Sequence, residues 1–188
     1  SNRGKFKNSG ITTYSYASGT FPNGSYAILK TPSQGGHWTS SHIKGGNTQR
    51  PVSQGGMGQN AAKDGFYLAD CGAEAGVIFT YTVDDDALCS NTVYDFSAFI
   101  CNVDNTPGQA PVNATLSVVG KKAGKPDYEF FKIPSGDLGP GSDWGQYGRP
   151  FNSGDYTIFV VSIRNNYQGT LNQDGNLIGN DIGVDDIV

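Results

Sequence analysis

Along much of the chain, apolar and polar residues alternate one by one, the period of a strand with one buried face. Ser25 to Leu29 (SYAIL) follows the turn signal Pro22-Asn23-Gly24. Gly65 to Asp70 (GFYLAD) is a second such stretch. Gly76 to Val83 puts Val77, Phe79 and Tyr81 on one face and Ile78, Thr80 and Thr82 on the other. Val93 to Val103 predicts a core face of Tyr94, Phe96, Ala98 and Ile100, with Val93, Asp95, Ser97, Phe99 and Cys101 opposite. Ala114 to Val119, Glu129 to Ile133, Tyr156 to Asn165 and the closing Ile182 to Val188 bring the total to about eight strands, bounded by Gly, Pro, Asn or Ser. No segment longer than a turn or two has a helical period.

Many short strands in a chain of 188 residues predict an all-β fold, an antiparallel jelly-roll β-sandwich of about eight or more strands with long loops. The length fits a single domain over residues 1–188, with 1–20 an irregular N-terminal strand or arm. Two loops stand out. Residues 31–63 are rich in Gly, Ser, Gln and Asn and carry few large apolar side chains beyond Trp38. Residues 165–180 (NNYQGTLNQDGNLIGN) run straight into the closing strand. Loops of such length are either functional or disordered. The Gly56-Met57-Gly58-Gln59-Asn60-Ala61 run neither follows a strand nor opens a helix, so it is not read as a dinucleotide fingerprint.

Composition agrees with strands and loops. The chain has 27 Gly and 12% aromatics, but one Met and only 16% charged residues. A net charge of −4 without a basic cluster argues against nucleic acid as a partner. No apolar run is long enough to insert in a membrane. Three cysteines, Cys71, Cys89 and Cys101, with no CxxC spacing, leave open one disulfide plus a thiol or three buried thiols.

LCSNTVYDFSAFICNV (88–103), SDWGQYGRPF (142–151), IRNN (163–166) and GNDIGVDDI (179–187) occur in this order, and FPNGSYAIL (21–29) precedes them. Together they resemble a jelly-roll ligand-binding module of large bacterial surface proteins and adhesins. The Asp-Asp-Ile ending is also similar to that of MAM and galactose-binding-like modules. The resemblance covers roughly residues 20–188. It implies a noncatalytic module, part of a larger extracellular protein at the cell surface. Its partner would be a glycan, or a peptide or protein ligand on another cell, and a structural cation would lie near the closing strand. The long 31–63 loop and the extra cysteines depart from the family's usual form.

The residues themselves also suggest a cation. Alternation in DIGVDDIV places Asp186 toward the core, where a carboxylate is costly unless hydrogen-bonded or bound to a metal. Calcium takes six to eight hard oxygens, so Asp181, Asp185 and Asp186 with a loop carbonyl form a candidate set. The competing reading pairs these acids with backbone N–H groups, Arg149 or Arg164. Asp84-Asp85-Asp86 reads as a solvated turn.

For ligand contact the candidates are Trp38, His42, Asn165, Asn166, Tyr167, Gln168 and Asn180. Trp38 can stack on a sugar or plug an edge of the sandwich. Amides match hydroxyls and backbone groups. His37 and His42 are five residues apart and lack a third ligand, so zinc is not expected. Trp144 and Tyr147 read as core or rim packing. Both histidines share one loop, no Gly-x-Ser-x-Gly elbow occurs, and the only glutamates are Glu74 and Glu129. Hydrolase chemistry is therefore not expected. The alternatives to a binding module are a structural spacer in a fibrous surface protein and, ranked behind it, a polysaccharide-active enzyme.

Overall fold

The structure is a computed structural model, and it describes residues 12–17, 24–29, 66–70, 75–84, 88–104, 108–167, 170–171, 177–185 and 187. Its strands are β1 (Ser15–Tyr16), β2 (Ser25–Leu29), β3 (Phe66–Asp70), β4 (Gly76–Val83), β5 (Val93–Asn102) and β6 (Ala114–Lys121). They continue as β7 (Tyr128–Pro134), β8 (Gly145–Asn152), β9 (Ile158–Asn165), β10 (Thr170–Leu171), β11 (Leu177–Ile178) and β12 (Asp181–Asp185). Among the described residues no helix is long and apolar enough to cross a membrane.

A six-stranded sheet runs β1-β2-β3-β12-β5-β8, a four-stranded sheet runs β4-β9-β6-β7, and β10 and β11 form a separate hairpin. All pairings are antiparallel except β1 with β2. From β3 onward the chain changes sheet at nearly every step. β3, β5 and β8 lie in one sheet and β4, β6 and β9 in the other, and, between β3 and β9, β6 and β7 are the consecutive described strands that pair with each other. β12 then enters between β3 and β5. This is the jelly-roll sandwich.

The core forms between the two sheets. From the six-stranded sheet it takes Tyr26, Phe96, Ala98, Ile100, Ile182 and Val184; from the four-stranded sheet it takes Ile78, Leu116, Val118, Phe131, Phe159, Val161 and Ile163. The face of β5 expected to be inward is inward: Phe96, Ala98 and Ile100 are buried, and Tyr94 packs against them. Ile182 and Val184 also point inward, as alternation in the closing strand requires.

Three features depart from simple alternation. A register shift between Val77 and Phe79 lets both Ile78 and Phe79 reach the core, although strict alternation separates them. A second shift, between Val118 and Val119, lets consecutive Phe130 and Phe131 join the same aromatic cluster. The outward face of β5 is also covered: Ser97, Phe99 and Cys101 are all buried. Trp144 lies on this side. A Cβ on Gly183 would sit 2.8 Å from its Cη2, 2.9 Å from Cys101 Sγ and 3.0 Å from Val103 Cγ1. Trp144 thus packs on the outer side of the sheet at Gly183, and Tyr147 packs against the core between the sheets.

β8 does not stand out by alternation because it contains Gly145, Gly148, Arg149 and Pro150. It lies at the edge of its sheet, where a proline need not donate to a neighbour. Gly148 has φ +124°, and a Cβ there would strike the Phe96 carbonyl, so glycine is required at that point of the ladder. The closing strand begins at Asp181, one residue earlier than expected, and Ile187 is exposed.

Candidate ligand-binding site

At one end of the sandwich, the end of β9 and the starts of β6 and β12 meet around Tyr167. Asn165 ends β9 in register with Gly76 and Ala114 and is fully buried. Its Oδ1 accepts the Tyr167 N–H at 3.2 Å, and its Nδ2 donates to the Tyr167 carbonyl at 3.2 Å. Asn180, with φ +77° and also fully buried, donates its Nδ2 to the same carbonyl at 3.4 Å. Asparagine tolerates this left-handed conformation better than most residues. Two side-chain amides therefore hold the start of the β9–β10 connection against the start of β12.

Asn165, Asn166, Tyr167 and Asn180 do come together, but Asn165 and Asn180 in a different role from the one expected. Asn165 and Asn180 were expected to face a ligand. Burial and their hydrogen bonds to the Tyr167 backbone make them supports of the loop instead. Asn166 is exposed. Its N–H donates to the Asn113 carbonyl at 2.8 Å, and its Nδ2 donates to Asn113 Oδ1 at 2.8 Å and Thr115 Oγ1 at 2.6 Å. Asn113 Nδ2 in turn donates to Asp137 Oδ1 at 2.7 Å. Trp38, His42, Gln168 and Asp186 lie outside the described residues.

This chain of amides leads onto the outer face of the four-stranded sheet. Ladder register places Thr115 beside Arg164, and the next outward row is Lys132, Ser117, Ser162 and Thr80. Ser117 and Ser162 share a hydrogen bond of 2.8 Å between their hydroxyls. Beyond them, Val119 and Val160 are half-buried in register with each other, followed by Thr82. The strip thus joins oriented hydroxyls and amides, an exposed Arg164, and a small apolar row. Such a surface can satisfy several hydroxyls of a neutral ligand while covering its C–H groups. Asn113, Thr115, Ser117 and Ser162 had no marker in the sequence, because only the cross-strand register aligns them.

The acidic residues of the closing strand are split. Asp181 is buried at the start of β12, and Asp185 is half-buried four residues further on. An extended strand separates such positions by roughly 13 Å, so a single ion takes ligands from one end of β12 or the other. At the Asp181 end, Val103 N–H donates to the Asp181 carbonyl at 3.0 Å, and Asp104 is buried next in sequence. Register pairs Asp181 with Asp70, and Asp70 with Ser25. The Ser25 hydroxyl is buried and has no hydrogen-bond partner among the described residues. The described residues contain no group of three or more His, Cys, Asp or Glu side chains arranged for a metal.

No protein-family model and no curated protein matches the chain. Among solved structures, the chain is similar to one described as Family 16 Carbohydrate Binding Module-2, at 15% identity, over 66% of this chain and 75% of that one, with a TM-score of 0.39. A likeness at that score bears on neither fold nor function.

Proposed function

We propose that the chain is a noncatalytic, calcium-dependent ligand-binding module of a bacterial cell-surface adhesin, taking a glycan on the outer face of its four-stranded sheet. The observation that carries this reading is the strip from Asp137 through Asn113, Asn166 and Thr115 to Ser117 and Ser162, whose side chains orient one another by hydrogen bonds. Groups fixed before the ligand arrives lose little freedom on binding, so weak individual contacts can add up. An exposed Arg164 in the same strip favours a second reading, in which its guanidinium fork takes the terminal carboxylate of a peptide.

The calcium in this reading sits at the start of β12. The buried Asp181 and Asp104, with the Ser25 hydroxyl, would supply oxygens there, and such an ion would offset the cost of burying carboxylates. Its role is to fix the β12 end against the loop that carries Asn166.

Glycan-array and peptide-terminus binding, each with calcium and with a chelator, test the proposal. Glycan binding that weakens about tenfold in Asn166→Ala supports it. Peptide binding that Arg164→Ala removes supports the second reading. Binding to neither, by a correctly folded protein, leaves the chain as a structural spacer.

A further inference from the structure

The opposite end of the sandwich, where β6 turns into β7 and the chain enters β9, carries a separate feature. Gly120 has no side chain, and a Cβ there would lie 2.6 Å from Phe130 Cε2 and 2.9 Å from Tyr156 Cδ1. The absence of that atom lets Phe130 and Tyr156 pack directly on the backbone. Phe130 then stands nearly perpendicular to both neighbours, with centroids 4.9 Å from Tyr128 at 77° and 5.7 Å from Tyr156 at 87°. Tyr128 and Tyr156 lie nearly parallel, 5.8 Å apart at 23°. Behind them Phe130 contacts Phe151 and Phe159 of the core. Tyr128 is therefore held by neighbouring rings, yet it is 54% exposed.

We propose that this ledge is a second carbohydrate subsite, which takes one neutral pyranose ring on the exposed face of Tyr128. Three properties select that occupant. A sugar ring presents C–H groups on one face and hydroxyls at its rim, and a held tyrosine offers an apolar face with one polar tip. The rim here is already oriented. Lys121 Nζ donates to Asp127 Oδ2 at 2.7 Å, and Lys122 and Lys125 donate to Asp155 Oδ2 at 2.8 and 2.5 Å. These groups supply both donors and acceptors for hydroxyls. At this rim three ammonium groups are held by two carboxylates, so most of their charge is offset.

The small apolar area favours a small occupant over a protein partner. Half of one tyrosine offers on the order of 100 Å², whereas a stable protein interface needs about 800 Å² per partner. A single sugar ring matches the smaller figure. The ledge lies at the other end of β6 and β9 from Asn113 and Asn166, so it stands whether or not the strip on the four-stranded sheet binds a glycan.

The test titrates the whole chain with soluble neutral hexasaccharides of glucose, xylose, mannose and N-acetylglucosamine, monitored by saturation transfer from protein aromatic protons to sugar C–H protons. Transfer from Tyr128 is expected with at least one sugar. Tyr128→Ala should lose that transfer and about tenfold in affinity at this subsite, while Tyr128→Phe and Asn166→Ala retain both. The proposal is overturned if no hexasaccharide contacts Tyr128, or if Tyr128→Ala binds like the parent. It is also overturned if the ledge instead mediates self-association that Tyr128→Ala abolishes in sedimentation.

Discussion

Asn165→Ala separates a supporting amide from a contacting one. The wild-type side chain is fully buried and makes two hydrogen bonds to the Tyr167 backbone, each at 3.2 Å. A buried hydrogen bond contributes about 0.5–1.5 kcal/mol net, so losing both costs about 2 kcal/mol. A domain of this size loses about 2–4 °C of Tm per kcal/mol, which gives a decrease of about 4–8 °C. Thermal unfolding followed by circular dichroism, with urea unfolding as a second measure, reads this directly. Asn166→Ala removes one exposed and one part-buried hydrogen bond from an exposed side chain and keeps the backbone bond to Asn113, so its expected Tm decrease is smaller than that of Asn165→Ala. Should Asn165→Ala unfold within a degree of the parent, or Asn166→Ala prove the more destabilising of the two, the division between buried support and exposed contact is wrong.

Gly183→Ala places a methyl against Trp144, Cys101 and Val103 and is expected to cost about 1–3 kcal/mol. In a double-mutant cycle with Trp144→Ala, part of that cost should disappear; strictly additive effects would show that Trp144 does not cover the sheet. Lys122 and then Lys125 hold the Asp155 carboxyl well below its ordinary range, at about 2. Because the folded pKa is the lower one, the stabilisation is present above about pH 4 and is lost as pH falls toward 2. A carboxyl-carbon NMR titration should place the midpoint near 2 and return it toward the ordinary value in Lys122→Ala/Lys125→Ala; an unmoved midpoint contradicts the pairing. Removal of calcium with a chelator should lower Tm by several degrees, since an ion at a hundredfold excess over its Kd contributes about 2.7 kcal/mol. Asp181→Asn should blunt that response, and a Tm indifferent to chelation would remove calcium from the account.

The strands were largely legible from alternation because the sandwich has one continuous core and the inward residues of β5, β6, β9 and β12 are apolar. The bulges at Ile78 and Phe130 were not legible: each inserts a residue that only the partner strand reveals. β8 gave no alternation signal because its glycines and proline are tolerated at a sheet edge. The outer cover at Trp144 was hidden for a different reason. A residue that packs on the far side of a sheet has no periodicity of its own. In the candidate site, the asparagine-rich loop was visible as composition. Which amides serve the backbone and which face outward depended on burial, as Asn165 and Asn166 show despite being adjacent. The aromatic ledge at Tyr128 was missed because Gly120, the residue that makes room for its backing rings, looks like any other strand glycine.

The most direct measurement is a nitrogen–proton NMR titration of the chain with the best neutral oligosaccharide from the array, in the presence of calcium. The account predicts saturable shifts clustered at Thr80, Thr115, Ser117, Ser162, Arg164 and Asn166, on the outer face of the four-stranded sheet. Shifts confined to other surfaces, or none at all with any sugar, would contradict it.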